Sequence, residues 1–214
     1  YLDLLGRVDA ERAHEWAIRG LRWIEGREGL LKSFYGVAQE IPNPRLKQTV
    51  ADLEFLNPVG LAAGWDKNAV VARPLSALGF GFLELGTATL WPEQGNPRPR
   101  IFRDRDAKII VNRVGFANDG AFLIRERLKH LSGIQNCLMG VSLGKMRSSP
   151  ARLLASEVLE MLEMFYPYSA FFSVNVSSPN TPRGFLMGQA DFLTDTLVKL
   201  KKENRLLAHR LGRL

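Results

Sequence analysis

Residues 137–166 read CLMGVSLGKMRSSPARLLASEVLEMLEMFY, and this stretch indicates the fold class. It opens with a short run of apolar and small residues, 137–143, that is typical of a buried strand. A polar turn follows, and residues 150–166 then carry apolar side chains at helical spacing. The stretch is therefore predicted to be a strand followed by a helix, the repeating unit of parallel α/β proteins.

The same alternation recurs on both sides of this unit. Each apolar run ends in a polar or glycine-rich turn and precedes a helical pattern. The runs are at residues 59–63, 80–85 and 170–176, and the helical patterns are at residues 74–78, 119–131 and 190–207. This order predicts an α/β fold in which a parallel sheet is covered by helices.

The length suggests which parallel fold this is. An eight-stranded barrel needs about 250 residues, or roughly 31 for each strand and helix. Residues 57–214 contain four recognisable units and an insertion, 92–112, in which a hairpin is predicted around the turn 104–108. We therefore expect about the first half of a TIM (β/α)8 barrel, truncated before the last strands.

A helical extension is predicted before the barrel. Asp9 is a predicted N-cap, because its carboxylate can accept hydrogen bonds from the first turn of the helix. Apolar residues then recur at helical spacing beside several arginines. Such a helix suits either a membrane surface or packing on its own domain, and both alternatives stay open. The predicted organisation is an extension, residues 1–40, and a barrel part, residues 41–214, near the start of which a short extended stretch is expected around residues 48–55. The apolar positions are Ala13, Trp16, Ala17, Leu21 and Ile24.

Composition excludes several classes of protein. The 214 residues include 46% apolar and 24% charged residues, which is ordinary for a globular protein and excludes disorder or a collagen repeat. No apolar run reaches the roughly 18 residues of a membrane-spanning helix. A single cysteine excludes an internal disulfide, and no cysteine cluster indicates a metal. The net charge of +7 is concentrated in residues 198–214, but no nucleic-acid-binding motif accompanies it, so we expect a solvated helix face.

Polar residues follow each predicted strand of the sheet. Because parallel α/β proteins place their active sites at the C-terminal ends of the strands, these residues are expected to share one site. They are Gly64, Asp66 and Lys67 after the first strand, Gly86, Thr87 and Thr89 after the second, Ser142, Gly144 and Lys145 after the third, and Asn175, Ser177, Ser178, Asn180 and Thr181 after the fourth.

Local chemistry leaves the roles of these residues open. The prolines in NVSSPNTP, residues 175–182, stiffen the segment, and its amide side chains suit a planar ring with amide groups. Ser178 lacks a neighbouring acid or histidine, but it could relay a proton, or the segment could be a purely structural turn. Lys67 could hold an anion, form a Schiff base or lie on the surface.

Six segments together resemble the dihydroorotate dehydrogenase family, and more closely its membrane-associated, quinone-reducing class. They are NPVGLAAGWDKN at 57–68, GFGFLELGTAT at 79–89, GNPRPRIFR at 95–103, NRVGF at 112–116, GVSLGK at 140–145 and NVSSPNTP at 175–182. The stretch DAERAHEWA at 9–17 resembles the N-terminal extension of that class.

The resemblance implies a TIM barrel with FMN at its C-terminal face. It implies oxidation of (S)-dihydroorotate to orotate in de novo pyrimidine (UMP) biosynthesis, with ubiquinone or menaquinone as acceptor. It also implies a monomer attached peripherally to the cytoplasmic face of the cell membrane.

The resemblance also assigns roles to individual residues. Ser178 corresponds to the catalytic base. Substrate binding is implied for Lys67, Asn112, Arg113, Val114, Gly115, Phe116, Asn175 and Asn180. Flavin binding is implied for Ala63, Gly64, Trp65, Asp66, Lys67, Thr87, Ser142 and Asn175. Two residues match positions near the quinone entrance, His14 and Arg103.

The chain departs from the family pattern at several positions. Ser142 and Ala117 stand where the family usually has asparagine, and Arg183 and Gly184 replace the usual Gly-Leu after the last motif. Two alternatives also remain. One is a soluble-class enzyme that uses fumarate or NAD, against which the extension and a serine base argue. The other is an inactive, truncated chain that only binds membranes.

Overall fold

Six helices and eight strands are present in the computed structural model, which describes residues 8–39, 44–104, 106–131, 134, 137–176 and 190–212. The helices are α1 Ala10–Glu25, α2 Glu28–Gln39, α3 Ala72–Ser76, α4 Ala121–Lys129, α5 Leu154–Phe165 and α6 Ala190–Leu211. The strands are β1 Gln48–Val50, β2 Leu53–Phe55, β3 Gly60–Leu61, β4 Phe82–Ala88, β5 Ile101–Asp104, β6 Ile109–Asn112, β7 Leu138–Gly144 and β8 Phe171–Asn175.

Four parallel strands form the central sheet, in the order β3-β4-β7-β8. The pairing register places Gly86 beside Ser142, and Gly144 beside Asn175. Because each strand follows the previous one through a crossover segment, all four C-terminal ends meet at one edge of the sheet. The parallel α/β fold expected of a half barrel is therefore present.

One face of the sheet is apolar and packs on helices. Leu83, Leu85, Val141 and Leu143 alternate along β4 and β7, and each is at most 1% exposed. They belong to a core that includes residues of α3, α4 and α5. Burial of such side chains contributes about 25 cal/mol for each Å² of apolar surface, so this face stabilises the fold.

The other face of the sheet carries glycine, aromatic and polar residues. A Cβ on Gly60 would lie 2.1 Å from the ring of Phe82, and one on Gly140 would lie 2.2 Å from the ring of Phe171. The two rings contact each other edge to face, with centroids 6.0 Å apart. Glycine is therefore needed at both positions to admit the rings that close the N-terminal end of this face.

The structure departs from the sequence-based expectations in two places. The single extended stretch expected around residues 48–55 is a hairpin of β1 and β2, because Ala51 and Asp52 adopt φ of 48° and 62°. The helix expected over residues 150–166 begins with a 3-10 turn, Ala151–Leu153. The hairpin predicted in the insertion is confirmed as β5 and β6.

The extension forms two helices that contact the barrel part. Asp9 caps α1 by accepting from the backbone N–H groups of Glu11 and Arg12. Ile18 and Leu21 pack against the core, whereas Trp16 and Trp23 are 52% and 56% exposed. The packed residues fit a helix that docks on its own domain, and the exposed tryptophans fit a membrane surface, so both alternatives stay open. Among the described residues, no helix combines the length and apolar character needed to cross a membrane. The proposed domain boundary at residue 40 lies outside the described residues.

We predict that Leu85→Ala destabilises the protein by about 2–5 kcal/mol, because it leaves a cavity where the sheet meets the helices. The measurement is the free energy of unfolding from a urea titration. The matched control is Leu78→Ala, since Leu78 is 50% exposed and its truncation should cost at most about 0.5 kcal/mol. Equal effects of the two substitutions would contradict the assigned core.

Candidate functional site

The loop after β3 is attached to the end of β4 by backbone hydrogen bonds. The N–H of Gly64 donates to the carbonyl of Gly86 over 2.7 Å, and the N–H of Gly86 donates to the carbonyl of Asp66 over 3.1 Å. The loop therefore lies across the C-terminal edge of the sheet. This attachment brings the predicted site residues Ala63, Gly64, Trp65, Asp66 and Lys67 next to Thr87.

Two glycines leave bare backbone at this edge. Gly86 has φ of 99°, and a Cβ there would lie 2.7 Å from both the N–H nitrogen of Ala88 and the carbonyl oxygen of Ser142. Gly64 has φ of 105° and faces open space. Both positions favour glycine, and Gly64 gives a flat ligand close access to the backbone.

Three polar side chains from neighbouring strands form a hydrogen-bonded row. The amide nitrogen Nδ2 of Asn175 donates to Oγ1 of Thr87 over 3.2 Å. Oγ1 of Thr87 also lies 3.0 Å from Oγ of Ser142. The buried oxygen Oδ1 of Asn175 has no hydrogen-bond partner in the part of the chain described here. Because an unpaired buried acceptor is costly, this oxygen is suited to receive an N–H group of a ligand.

The carboxylate of Asp66 holds the loop after β3 in shape. It is buried, and it accepts hydrogen bonds from the backbone N–H groups of Asn68, Val70 and Val71 at 3.3, 3.0 and 2.9 Å. The resemblance had implied flavin binding by this residue. The side chain is occupied by the backbone of its own loop, so any such contact falls to its main chain.

Lys67 is a half-buried cation at the same edge. Its Nζ donates to the carbonyl of Gly64 over 2.7 Å. Burial lowers the pKa of Lys67, and the nearby positive charge of Arg100 lowers it further, whereas Glu11 and Asp66 act in the opposite direction. Within the described residues, Lys67 forms no ion pair. Its ammonium group is therefore suited to bind an anion.

The segment of residues 112–116 is only partly brought to the strand ends. A Cβ on Gly144 would lie 3.3 Å from the ring of Phe116, which places this ring at the end of β7. Arg113 lies instead against the hairpin, where its guanidinium is 5.9 Å from the ring centroid of Phe102. Asn112 is exposed, whereas Val114 is buried and Gly115 adopts φ of 75°. Substrate binding by these residues stays a prediction.

Asn118 is an organising residue that the sequence analysis did not identify. Its Oδ1 accepts from the N–H groups of Thr89 and Gly120, and its Nδ2 donates to the hydroxyl of Thr89 and the carbonyl of Phe116. The side chain is 5% exposed, so its four hydrogen bonds fix the loop behind Phe116. The Asn-Asp-Gly sequence at 118–120 is a turn signal that could have indicated it.

The two predicted quinone-entrance residues both take part in contacts between the extension and the barrel part. Nε2 of His14 donates to the carbonyl of Trp65 over 2.7 Å, and the two rings meet edge to face with centroids 5.1 Å apart. Arg103, in β5, donates to the carbonyl of Val8, just before α1. His14 lines a cleft of about 610 Å³ together with Lys67, whereas Arg103 does not line it.

Another strand-end cation is structural. Lys145 is 3% exposed, and its ammonium group donates to the carbonyls of Met146 and Ser149. Burial lowers its pKa, and the charge of Glu157 opposes that effect. Glu157 also accepts from the N–H of Met146 over 2.9 Å. These contacts close the loop after β7 and occupy two of the three N–H groups of the Lys145 ammonium.

Two further features lie apart from the strand ends. A cavity of about 930 Å³ is lined mostly by residues of β7, β8, α5 and α6 and of the segment between α5 and β8, and none of the predicted site residues lines it. No group of three or more metal-binding side chains occurs among the described residues. Ser178 and Asn180, the predicted base and one predicted substrate residue, lie outside the described residues.

Comparisons with known proteins identify the family of the chain. A family model described as dihydroorotate dehydrogenase matches residues 45–209. The chain is 42% identical over 200 residues to the dihydroorotate dehydrogenase (quinone) of Chloroflexus aurantiacus, and 39% identical over 209 residues to that of Vibrio parahaemolyticus. These matches cover 94% and 97% of this chain, but 54% and 59% of the relatives. The chain thus spans about half the length of the curated relatives it matches.

Solved structures show the same relation. A crystal structure of DHODH from Eimeria tenella in complex with ferulenol has a TM-score of 0.77 and 31% sequence identity. That match covers 94% of this chain and 52% of the other. A ligand-free DHODH from the same organism has a TM-score of 0.69 and 34% identity, covering 77% of this chain and 47% of the other. Similarity in both sequence and fold therefore extends over most of the chain.

We predict that Asp66→Asn lowers the free energy of unfolding by about 1–3 kcal/mol, because an amide cannot accept from all three N–H groups. A urea titration measures the change. The matched control is Asp195→Asn, which breaks an exposed pair with Lys199 and should cost at most about 0.5 kcal/mol. A cost for Asp66→Asn no larger than that of the control would show that its carboxylate does not support the loop.

Proposed function

We propose that this chain, which belongs to the dihydroorotate dehydrogenase family, is part of an enzyme that oxidises (S)-dihydroorotate to orotate in pyrimidine biosynthesis. The observation that carries the proposal is that Lys67, Thr87 and Asn175 lie at the same edge of the sheet. Each of them belongs to a segment that matches a motif of the family. A cation, bare glycine backbone and a free amide acceptor meet there. These groups suit a planar cofactor beside an anionic ring with amide groups.

We propose that the cofactor is FMN, a flavin whose ring accepts a hydride and passes electrons on one at a time. The free Oδ1 of Asn175 fits the ring N–H of a flavin, and the open backbone at Gly64 fits its flat face. Ser142 is 3% exposed and hydrogen-bonded to Thr87, so it acts on the cofactor through Thr87 and not directly. Ala63 and Trp65 complete the loop that would lie along the flavin.

Substrate binding and proton removal follow from the remaining residues. The Lys67 ammonium binds the substrate carboxylate, and the Phe116 ring limits the space beside it. Asn112, Arg113, Val114, Gly115 and Asn180 are proposed substrate contacts on the family match. Ser178 removes the proton from C5 of dihydroorotate as the hydride leaves C6, and a bound flavin would accept that hydride. The C–H electron pair left at C5 forms the C5–C6 double bond of orotate.

We propose a quinone as the electron acceptor and a membrane surface as the place of reaction. One face of α1 carries two arginines and two tryptophans at helical spacings of three or four residues, Arg12, Trp16, Arg19 and Trp23. All four side chains are exposed, and the guanidinium of Arg27 lies 3.6 Å from the ring centroid of Trp23. Such a face suits the headgroup region of anionic lipid, peripherally and at the cytoplasmic side. His14 lies on this helix and Arg103 contacts the residue Val8 just before it, as a quinone entrance would require.

We expect the complete gene product, purified as a monomer, to be yellow and to show flavin reduction when (S)-dihydroorotate is added anaerobically. In the variant Ser178→Ala, flavin reduction should slow by about 10²–10⁴-fold, because general-base catalysis contributes this much. Stopped-flow absorbance measures the rate.

The control for this experiment is Ser156→Ala, which alters an exposed serine of α5 outside the proposed site. Its rate should equal that of the unchanged protein. A colourless protein that cannot be reconstituted with FMN would refute the proposed function. An unaltered rate in Ser178→Ala would exclude this serine as the base. Faster reoxidation by fumarate or NAD than by a quinone would favour the soluble-class alternative.

We predict that the double variant Trp16→Gln/Trp23→Gln loses at least tenfold in affinity for vesicles that contain anionic lipid, while dihydroorotate-dependent flavin reduction is unchanged. Vesicle co-sedimentation measures binding. The matched control is Trp91→Gln, because Trp91 is 65% exposed but lies far along the chain from α1.

Point variants are preferable to deletion of residues 1–40, which would also remove the partners of Trp65 and Arg103. Lipid binding without any dihydroorotate oxidation would favour the inactive-chain alternative.

A further inference from the structure

A buried ion pair joins α1 to the segment before β5. The carboxylate of Glu11 accepts from Arg100, with Nε 3.0 Å and Nη2 2.6 Å from Oε1. The side chains are 12% and 9% exposed. Nη1 of Arg100 donates to the carbonyls of Gln94 and Asn96, both at 2.9 Å. All three nitrogens of the guanidinium therefore have acceptors, and two of them hold Glu11.

Lys67 lies in the same cleft as this pair but takes no part in it. Glu11, Lys67 and Arg100 all line the cleft of about 610 Å³. Glu11 is close enough to raise the pKa of Lys67 against the effects of burial and of Arg100. Asp66, the other acid that acts on Lys67, is occupied by three backbone N–H groups. Of the two acids that act on Lys67, Glu11 is therefore the one whose carboxylate is not held by the loop backbone.

What prevents that pairing is Arg100. A buried carboxylate without a charged partner is strongly unfavourable, so Glu11 must pair with some cation. Arg98 also reaches Glu11, at 3.1 Å, but it is 58% exposed and lies closer to Glu15, at 2.7 Å. A guanidinium fork holds a carboxylate more firmly than an ammonium point charge does. Arg100 thus outcompetes Lys67 for Glu11.

We propose that Arg100 is a positioning residue that sequesters Glu11 and so keeps the Lys67 ammonium available to an anionic ligand. Removing Arg100 would leave Glu11 to pair with Lys67 and to compete with the carboxylate of the ligand. The identity of that ligand, the carboxylate of dihydroorotate or orotate, rests on the proposed function. The sequestration itself does not.

The state of Lys67 tests the proposal without any ligand or flavin. The experiment is trace acetylation of the complete gene product with acetic anhydride across a range of pH, followed by mass spectrometry of the Lys67 peptide. In Arg100→Gln, a new pair with Glu11 should raise the pKa of Lys67, which slows its acetylation about tenfold at a fixed pH below that pKa. In Arg100→Gln/Glu11→Gln, the carboxylate is gone and the acetylation rate should recover.

Orotate binding tests the consequence for the site. By isothermal titration calorimetry, Arg100→Gln should weaken orotate binding about tenfold, and the double variant should recover to within about threefold of the unchanged protein. The matched control is Arg98→Gln, which removes an exposed partner of Glu11 and should alter neither readout. A merely structural role of Arg100 would leave the double variant as weak as the single one.

The acetylation rates decide the role of Arg100, and orotate binding by the unchanged protein bears on the proposed function. An unchanged acetylation rate in Arg100→Gln, or no recovery in the double variant, would overturn the sequestration of Glu11. Failure of the unchanged protein to bind orotate would count against the proposed function, while the acetylation rates would still decide the role of Arg100. Thermal unfolding of each variant shows whether it is folded.

Discussion

The backbone of Gly86 makes the two hydrogen bonds on which the candidate site depends. Its carbonyl and N–H groups both bond to the loop after β3, so this loop lies across the strand ends instead of extending into solvent. The close approach of β7 at Ser142 leaves no space for a side chain at this position. One residue therefore aligns the loop that carries Lys67, the strand that carries Thr87 and the strand that carries Ser142.

Hydrophobic periodicity was sufficient to predict the sheet and most of the helices. Alternation along β4 and β7 reflects one apolar face, and a parallel register requires polar strand ends such as Thr87 and Asn175 to meet. The turn at Ala51 and Asp52 was not predicted, because aspartate tolerates left-handed backbone but alanine is not a signal for it. Its conformation depends on the pairing of β1 with β2.

Roles that depend on tertiary contacts were less predictable. Glu11 and Arg100 are 89 positions apart in sequence, and each resembles an ordinary surface residue until the fold buries both. Asp66 was expected beside the flavin, but its carboxylate is occupied by three backbone N–H groups. The motif did locate the correct loop. It could not distinguish a side chain that faces a ligand from one that holds the loop in shape.

The position of β8 at the edge of the central sheet has a consequence for biosynthesis. Among the described strands, β8 pairs only with β7, and apolar residues of α6 beside it, such as Leu197 and Val198, are more than half exposed. A nascent chain that folds this region on leaving the ribosome would expose the unpaired backbone N–H and C=O groups of β8 and an apolar surface on α6. Both features promote aggregation between neighbouring chains, so binding of a chaperone during translation would favour correct folding.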